Sequence, residues 1–587
     1  MSLASLAPAT RSRTAVLAVA ASTLLAGTIV ATPRVAVAQG AASTVEIPYE
    51  EFTLPNGLRV IVHTDRKAPI VAVNLWYHVG SKNEARGRSG FAHLFEHLMF
   101  NGSENHPGEF FEPFELVGAT DQNGTTNQDR TNYFQNVPTT ALDMALWMES
   151  DRMGHLLGAI DQKTLDEQRG VVQNEKRQGE NQPYGRRIFA RLFEAIYPED
   201  HPYHWQTIGS MPDLNAATLD DVKTWFRSWY GPNNAVLVLA GDIDAATARE
   251  KVTRYFGDIP ASATLADMAT SIPRRDKDTR EVIPDRVPQV RIYRVWPVAE
   301  YGNRDSHLLQ VLSHVLGGSA SSRLDARLVH GDRLADSAST FQLASEISGT
   351  FFITADVKKD VDPAKVEAII DEELQRLLRE GPTATELEQA RTALRADVIR
   401  GIERIGGFGG KSDALAECAV YVGKPDCYRD ELAVFQQATS ADVQAAGRTW
   451  LGPGSHVVIV QPSDTPASAL PEKTAQAPTT SAALPPPDPK YRTVPSDVNR
   501  GAGVPKTTTF PALKWPAVQH VTLSNGLQVY LVERHDVPLV RMNLEFPGGF
   551  SADVGKKLGT AGFTTAMLDQ GAGKYGALAL AARKEAL

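Results

Sequence analysis

The sequence has few cysteines, lacks any Lys/Arg-rich run and, beyond its first 40 residues, lacks an apolar stretch long enough to span a bilayer. A net charge of −9 and the missing basic run exclude nucleic acid as the main partner, because no basic field would gather phosphates. The two cysteines, Cys418 and Cys427, do not make a zinc site. In an oxidising compartment they could pair and close a short loop, and the competing interpretation is two buried free thiols.

The first 40 residues have a composition of their own. Arg11 and Arg13 precede an Ala-rich apolar stretch, residues 15–31, and Ala36-Val37-Ala38 follows it. A basic start, an apolar core and an A-x-A site predict a secretory signal peptide over residues 1–38. The alternative is an uncleaved membrane anchor, which the small and weakly hydrophobic side chains disfavour. We therefore expect a secreted or periplasmic protein with no stable membrane anchor after signal cleavage.

The remaining chain has ordinary globular composition, 42% hydrophobic and 22% charged over 587 residues, and length for several domains. Residues 57–63 and 70–76 have the apolar pattern of paired strands joined by a charged turn, and residues 90–100 and 164–177 have that of helices. Such mixed elements predict an α+β fold. We expect two consecutive α+β domains, a Pro-rich linker and the start of a third domain, at residues 45–262, 276–462, 463–514 and 515–587.

An internal duplication is the most informative feature of this organisation. The segment Thr522–Val529 repeats Thr53–Val60, and matched residues continue without a gap over some fifty positions. In this register His93, Glu96 and His97 fall opposite Gly562, Thr565 and Ala566. The second copy is therefore predicted to keep the scaffold without the chemistry. It stops at Leu587, soon after its first helix should begin, so we expect the chain to be truncated relative to the architecture it implies.

The chemistry is concentrated in His93-Leu-Phe-Glu96-His97. On a helix the two histidines lie four residues apart on one face, close enough to share a metal. Two imidazoles and one further carboxylate would leave a Zn²⁺ ion an open position for water. Glu96, near that water but not bound to the metal, would accept its proton. The alternative interpretation is a pair of surface histidines beside a solvated glutamate.

The motif and the following Leu-Met-Phe-Asn-Gly102 resemble the pitrilysin/insulysin family of inverzincin zinc metallopeptidases, in its bacterial branch similar to the mitochondrial processing peptidase. The resemblance implies a third ligand in a downstream helix of pattern R-x-V-V-x-x-E. Arg169–Glu175 has this pattern, so Glu175 is the implied third metal ligand beside His93 and His97. Many relatives carry another glutamate seven residues earlier, where this chain has Gln168.

A second segment extends the resemblance. Asn123–Tyr133 is similar to the family's edge strand, which pairs with an extended substrate backbone, so Asn123, Gly124 and Thr125 are implied substrate-binding residues. Gly124 stands where alanine is usual, at no obvious cost. Gly80–Glu84 and Gly318–Leu324 also look familial, although turn and helix-start chemistry explains them equally well.

The resemblance implies a clamshell of two similar halves, each with two α+β domains, in which the first half holds the metal. The predicted function is that of a zinc-dependent endopeptidase, which hydrolyses peptides or unfolded polypeptide segments with water activated by Glu96. The alternative is a non-catalytic or incomplete partner subunit or scaffold that needs a separate second half. The expected partners are a peptide substrate and a second-half chain or homologous subunit.

Overall fold

The computed structural model describes residues 45–263, 268–472, 484–535 and 537–587. The predicted signal peptide, residues 1–38, lies outside the described residues. Among the helices described, none is both long and apolar enough to cross a membrane.

A six-stranded sheet organises the first part of the chain. Its strands are β1 Glu50–Thr53, β2 Arg59–Thr64, β3 Ile70–Tyr77, β4 Thr120–Thr126, β5 Thr131–Pro138 and β6 Ala235–Gly241, in the order β1-β2-β6-β3-β5-β4. The helices of this part are α1 Phe91–Leu98, α2 Glu112–Leu116, α3 Leu142–Gly154, α4 Gln162–Glu180, α5 Arg186–Ile196, α6 Met211–Ala216, α7 Leu219–Trp229 and α8 Ala245–Phe256. The helices expected over residues 90–100 and 164–177 are thus α1 and α4.

The predicted direct pairing of the first two apolar strands is wrong. β6 lies between β2 and β3, parallel to β2 and antiparallel to β3. The charged turn after β2 passes the end of β6, where the Asp65 amide donates a hydrogen bond to the Gly241 carbonyl. β3 is buried along almost its whole length, which explains its nearly continuous rather than alternating apolar run.

A second sheet follows, with helices packed on it. Its strands are β7 Thr279–Asp285, β8 Arg291–Val298, β9 Ala335–Leu343, β10 Gly349–Val357 and β11 His456–Pro462, in the order β7-β11-β8-β10-β9. The helices of this part of the chain are α9 Arg304–Gly317, α10 Pro363–Glu380, α11 Ala384–Gly401, α12 Lys411–Tyr421, α13 Tyr428–Gln437 and α14 Ser440–Trp450, with a π-helical turn at Asp325–Gly331. Two successive sheet-and-helix domains confirm the predicted α+β fold class.

Helix α12 joins the two sheet-bearing parts. Its apolar face packs with Trp76, Val236 and Val238 of the first sheet. Cys418 in α12 forms a disulfide with Cys427, just before α13, and both are buried. Of the two interpretations of these cysteines, the structure therefore has the paired one.

The Pro-rich segment predicted as a linker is attached to the first domain over much of its described length. The amides of Arg492 and Val494 donate to the carbonyls of Pro55 and Gly257, at 3.0 and 2.7 Å. Further along, Val498 and Val504 pack against the core of the first domain. This part of the segment, residues 484–504, is called the strap below.

The duplicated segment repeats the structure of the first copy as well as its sequence. Strands β12 Gln519–Thr522 and β13 Gln528–Leu531 pair in the register of β1 and β2, and α15 Thr560–Met567 corresponds to α1. Gly90 and Gly559, which precede α1 and α15, both have left-handed backbones, with φ of 92° and 91°. Strands β14 Gly571–Ala572 and β15 Tyr575–Gly576 and helix α16 Ala577–Glu585 complete the described elements.

One element of the first copy has no counterpart strand. Residues 539–546, which match β3, pair with no strand among the residues described. Val540, Met542 and Leu544 are 86%, 87% and 58% exposed, whereas the matching residues are all fully buried: Val71, Val73 and Leu75. The absence of ladder partners explains why this apolar segment does not form a strand.

Candidate metal centre

Helix α1 presents the histidine motif from a well-anchored position. Its apolar side chains are buried, and they are Phe91, Leu94, Phe95 and Leu98. At its start, the buried Glu84 carboxylate accepts the amide of Ala92 at 2.9 Å and the indole N–H of Trp205 at 3.0 Å. A carboxylate at a helix N-terminus satisfies a backbone donor that has no partner within the helix. Glu84 therefore fixes the start of the helix that carries His93 and His97, a role that no local sequence pattern indicated.

The three predicted metal ligands converge. His93 Nε2 and His97 Nε2 lie 3.7 and 3.5 Å from Glu175 Oε2, which α4 supplies. One ligand atom from each residue lies within 4.8 Å of the others. Among the described residues, no other group of three His, Cys, Asp or Glu side chains is arranged to hold a metal ion. Two imidazole nitrogens and a carboxylate oxygen are the donor set of catalytic zinc sites with an open fourth position. The residues present therefore fit a zinc ion.

The surroundings favour the neutral imidazoles that metal binding requires. Burial, together with smaller contributions from the neighbouring His97 and Arg186, lowers the pKa of His93 to about 3. Burial also lowers the pKa of His97, against the opposing effects of Glu175 and Gln168. Gln168 therefore lies close enough to His97 to influence its pKa.

Glu96 directly precedes His97 on the same helix. Its side chain is buried and accepts a hydrogen bond from Thr126 Oγ1 at 2.6 Å. Burial raises the pKa of Glu96 to about 7, while the Thr126 hydrogen bond and the positive charge of Arg130 oppose that rise. A buried carboxyl with a pKa near neutrality has the properties of a general base.

Strand β4, which holds the three predicted substrate-binding residues, is the edge of the first sheet on the side of α1. At the β4–β5 turn the Asn127 amide donates to the Arg130 carbonyl, so these two residues form a hydrogen-bonded pair. Hydrogen-bonded pairs recur at every second residue of an antiparallel ladder, and Thr125 with Asn132 is the next one. In an antiparallel ladder the intervening residues direct their backbone groups outward. Gly124 and Thr126 therefore face the free edge, whereas Asn123 and Thr125 pair inward.

The position of Gly124 has no room for a side chain. A Cβ at this position would lie 2.5 Å from Cζ of Phe100 and 2.8 Å from Cδ1 of Tyr133. Glycine at this position was expected to have no particular consequence. The structure gives a reason for it, because the Phe100 and Tyr133 rings occupy the space that an alanine methyl group would need. Phe100 lies just after the end of α1. The segment that follows the metal helix is therefore in direct contact with the edge strand.

Comparison with known proteins identifies the family of this chain. Residues 59–203 match the family described as Insulinase (Peptidase family M16), and residues 216–394 match the one described as Peptidase M16 inactive domain. The chain belongs to peptidase family M16. It is 29% identical over 360 residues to the zinc protease PqqE of Helicobacter pylori, covering 60% of this chain and 80% of the relative. It is 26% identical over 428 residues to an uncharacterized zinc protease of Streptomyces coelicolor, covering 71% and 91%.

Solved structures place the same fold over the M16 domains. A protease from Helicobacter pylori superposes with a TM-score of 0.65 at 27% identity, over 71% of this chain and all of that one. The periplasmic protease PqqL from Escherichia coli superposes with a TM-score of 0.60 at 19% identity. That match covers 84% of this chain and 56% of PqqL, so the chain spans about half the length of that two-part relative.

Proposed function

We propose that this M16 chain is a zinc-dependent endopeptidase that hydrolyses peptides or unfolded polypeptide segments. The observation that carries the proposal is the convergence of His93, His97 and Glu175 beside Glu96. Relatives named zinc proteases support the same chemistry.

Each residue has a distinct role in this proposal. His93, His97 and Glu175 would hold the zinc ion, which when bound lowers the pKa of water and polarises the scissile carbonyl. Glu96 takes a proton from the attacking water and passes it to the nitrogen of the leaving amine. Thr126 holds the Glu96 carboxylate in place.

The edge of β4 supplies the substrate-binding surface. An extended peptide would add to the sheet through the outward backbone groups of Gly124 and Thr126. Because such recognition uses main-chain hydrogen bonds, it suits unfolded segments of varied sequence. Asn123 and Thr125 shape this strand: Thr125 Oγ1 donates to Asn132 at 2.6 Å, and the Asn123 side chain accepts the Gly124 amide at 2.8 Å, a bond that an incoming peptide carbonyl would replace.

We also propose that the protein acts in the periplasm or outside the cell. The predicted signal peptide over residues 1–38 supports this location, as does the Cys418–Cys427 disulfide, since disulfides persist in oxidising compartments. A relative, PqqL, is described as periplasmic.

The decisive experiment follows cleavage of an unstructured fluorogenic peptide by the purified chain. We expect activity that a chelator removes and added zinc restores. Glu96→Gln should retain zinc but lose activity by about 10²- to 10⁴-fold, the usual contribution of a general base. Full activity in Glu96→Gln, or purified protein that binds no zinc, would contradict the proposal.

A second candidate is a catalytic half that works only with a separate second half. The exposed apolar segment at residues 539–546 favours it, because its matching residues in the first copy are buried. In that case zinc would bind and the chain alone would cleave nothing, until an added second-half chain or homologous subunit restored cleavage.

A further inference from the structure

The strap inserts one charged side chain into the first domain. Arg500 is 8% exposed, and its guanidinium donates to Asp151 Oδ1 at 3.2 Å, to Ser150 Oγ at 3.3 Å and to the Tyr255 carbonyl at 3.0 Å. A segment that acts only as a spacer would leave a long charged side chain in solvent. Arg500 is instead bound like a component of the core.

The charges around it explain why it is needed. Helix α3 ends in a buried polar layer, where Glu149, Asp151 and Arg152 are all fully buried. Arg152 is bound by Glu149 through both carboxylate oxygens, which leaves the charge of Asp151 to be balanced. Arg500 supplies that balance from more than 300 residues away. A buried carboxylate without a cation would be costly.

Asp151 also holds the loop that follows the metal helix. Its carboxylate accepts the hydroxyl of Ser103 at 2.5 Å and the side-chain amide of Asn105 at 2.8 Å. These residues belong to the loop between Phe100 and Phe110, which is closed by a hydrogen bond from the Phe110 amide to the Phe100 carbonyl at 3.0 Å.

The same loop reaches the substrate edge. Phe100 fills the space that a side chain at Gly124 would need, so its position sets the position of β4. Arg152 lies under both the Phe110 and Tyr133 rings, 3.8 Å from each ring centroid, and therefore joins the polar layer to the loop and to β5.

We propose that Arg500 is a positioning residue for the peptidase site: by neutralising Asp151 it holds the loop after the metal helix, and through Phe100 it holds the edge strand that receives substrate. The strap is then a functional part of the metal-bearing domain. The expected change in KM rests on the proposed peptidase function. The expected effect on the loop after the metal helix rests on the hydrogen-bond network alone.

The test compares the full chain with Arg500→Ala and Arg500→Lys. We expect Arg500→Ala to lower kcat/KM about 10- to 100-fold, mainly by raising KM, because a displacement of about 1 Å at a binding surface has effects of this size. Zinc content should not change. Arg500→Lys, which keeps the charge, and Arg500→Ala with added guanidinium should each recover part of the loss.

A matched control is Asp497→Ala, which removes an exposed ion pair between the same strap and Arg254. It should keep wild-type KM. Amide hydrogen exchange of residues 100–111 should accelerate in Arg500→Ala and stay unchanged in Asp497→Ala. If Arg500→Ala fails to fold, Asp151→Asn combined with Arg500→Gln removes both charges, and it should be less impaired than Arg500→Gln alone.

Three results would overturn the inference. In Arg500→Ala, either a wild-type KM with unchanged hydrogen exchange of the loop, or exchange that accelerates uniformly across the whole domain, would do so. The third is a double variant, Asp151→Asn with Arg500→Gln, that is as impaired as Arg500→Gln alone. If the wild-type chain cleaves no peptide, the proposed function fails, while the exchange measurement still decides the role of Arg500.

Discussion

Thr126 and Glu96 are joined by a 2.6 Å hydrogen bond in which the threonine hydroxyl donates to the buried carboxylate. Thr126 belongs to the edge strand β4, and Glu96 belongs to the metal helix α1. One bond therefore connects the surface that would receive a peptide to the group that would act as base. Thr131 of β5 lies 3.3 Å from the same hydroxyl.

Replacing Thr126 by valine should impair catalysis without removing zinc. A hydrogen bond to a charged group contributes about 1.5–3 kcal/mol, so its loss should lower kcat about tenfold or more. Thr126→Ser, which keeps the hydroxyl, should retain most activity, and Thr120→Val, at an exposed position of the same strand, should be neutral. Equal activities of Thr126→Val and Thr126→Ser would show that the hydroxyl has no role.

Glu175→Gln should lose zinc. The neutral amide cannot replace a carboxylate ligand, and we expect zinc affinity to fall by more than about 100-fold, beyond the effect usual for outer-shell residues. The matched control is Glu167→Gln on the same helix, whose side chain is 60% exposed and 3.8 Å from Lys163. Metal titration checks both variants. Equal zinc affinity in the two would exclude Glu175 as a ligand.

Gly124→Ala should raise KM because its Cβ would displace the Phe100 ring. Removing that ring should relieve the clash, so the double variant Gly124→Ala, Phe100→Leu should bind peptide better than Gly124→Ala alone. Kinetics on one extended peptide substrate would measure this. Additive effects of the two substitutions would mean that the contact does not limit substrate binding.

Glu84→Ala should destabilise the first domain. It leaves the buried Ala92 amide without its acceptor, at about 1–3 kcal/mol, while the Trp205 indole keeps the Ser81 carbonyl as a second acceptor. Urea unfolding should show a lower free energy of unfolding than in Glu50→Ala, whose side chain is exposed. Matching stabilities in the two variants would rule out this capping role.

The protein should lose stability as pH falls from about 6.5 to 4, and His456 should contribute. Burial lowers the pKa of His456 to about 4, with Arg275 and Arg191 adding to the effect and Glu281 opposing it. Between these values the unfolded chain binds a proton that the folded chain does not, so acid favours unfolding. His456→Gln should reduce this loss by on the order of 2 kcal/mol. Parallel stability–pH curves for the two proteins would contradict the prediction.

Much of the local structure could be predicted because it depends on neighbours along the chain. The four-residue spacing of His93 and His97 places them on one helix face in any context. The repeated segment predicted that the second copy keeps the scaffold of the first, and β12 and β13 do pair in the register of β1 and β2. Glu175 was implied by family resemblance; spacing alone could not bring α4 beside α1.

The sequence by itself therefore determined the helices α1 and α4, the duplicated segment and the metal-binding motif, all of which can be read from short stretches of neighbouring residues. Only the tertiary structure decided that β6 separates β2 from β3, that Phe100 occupies the space beside Gly124, and that Arg500 neutralises Asp151. The physical reason is the same in each case. Strand ladders, close packing and buried ion pairs join residues that are distant in the chain, and the local sequence pattern around one residue cannot predict which distant residue it will contact.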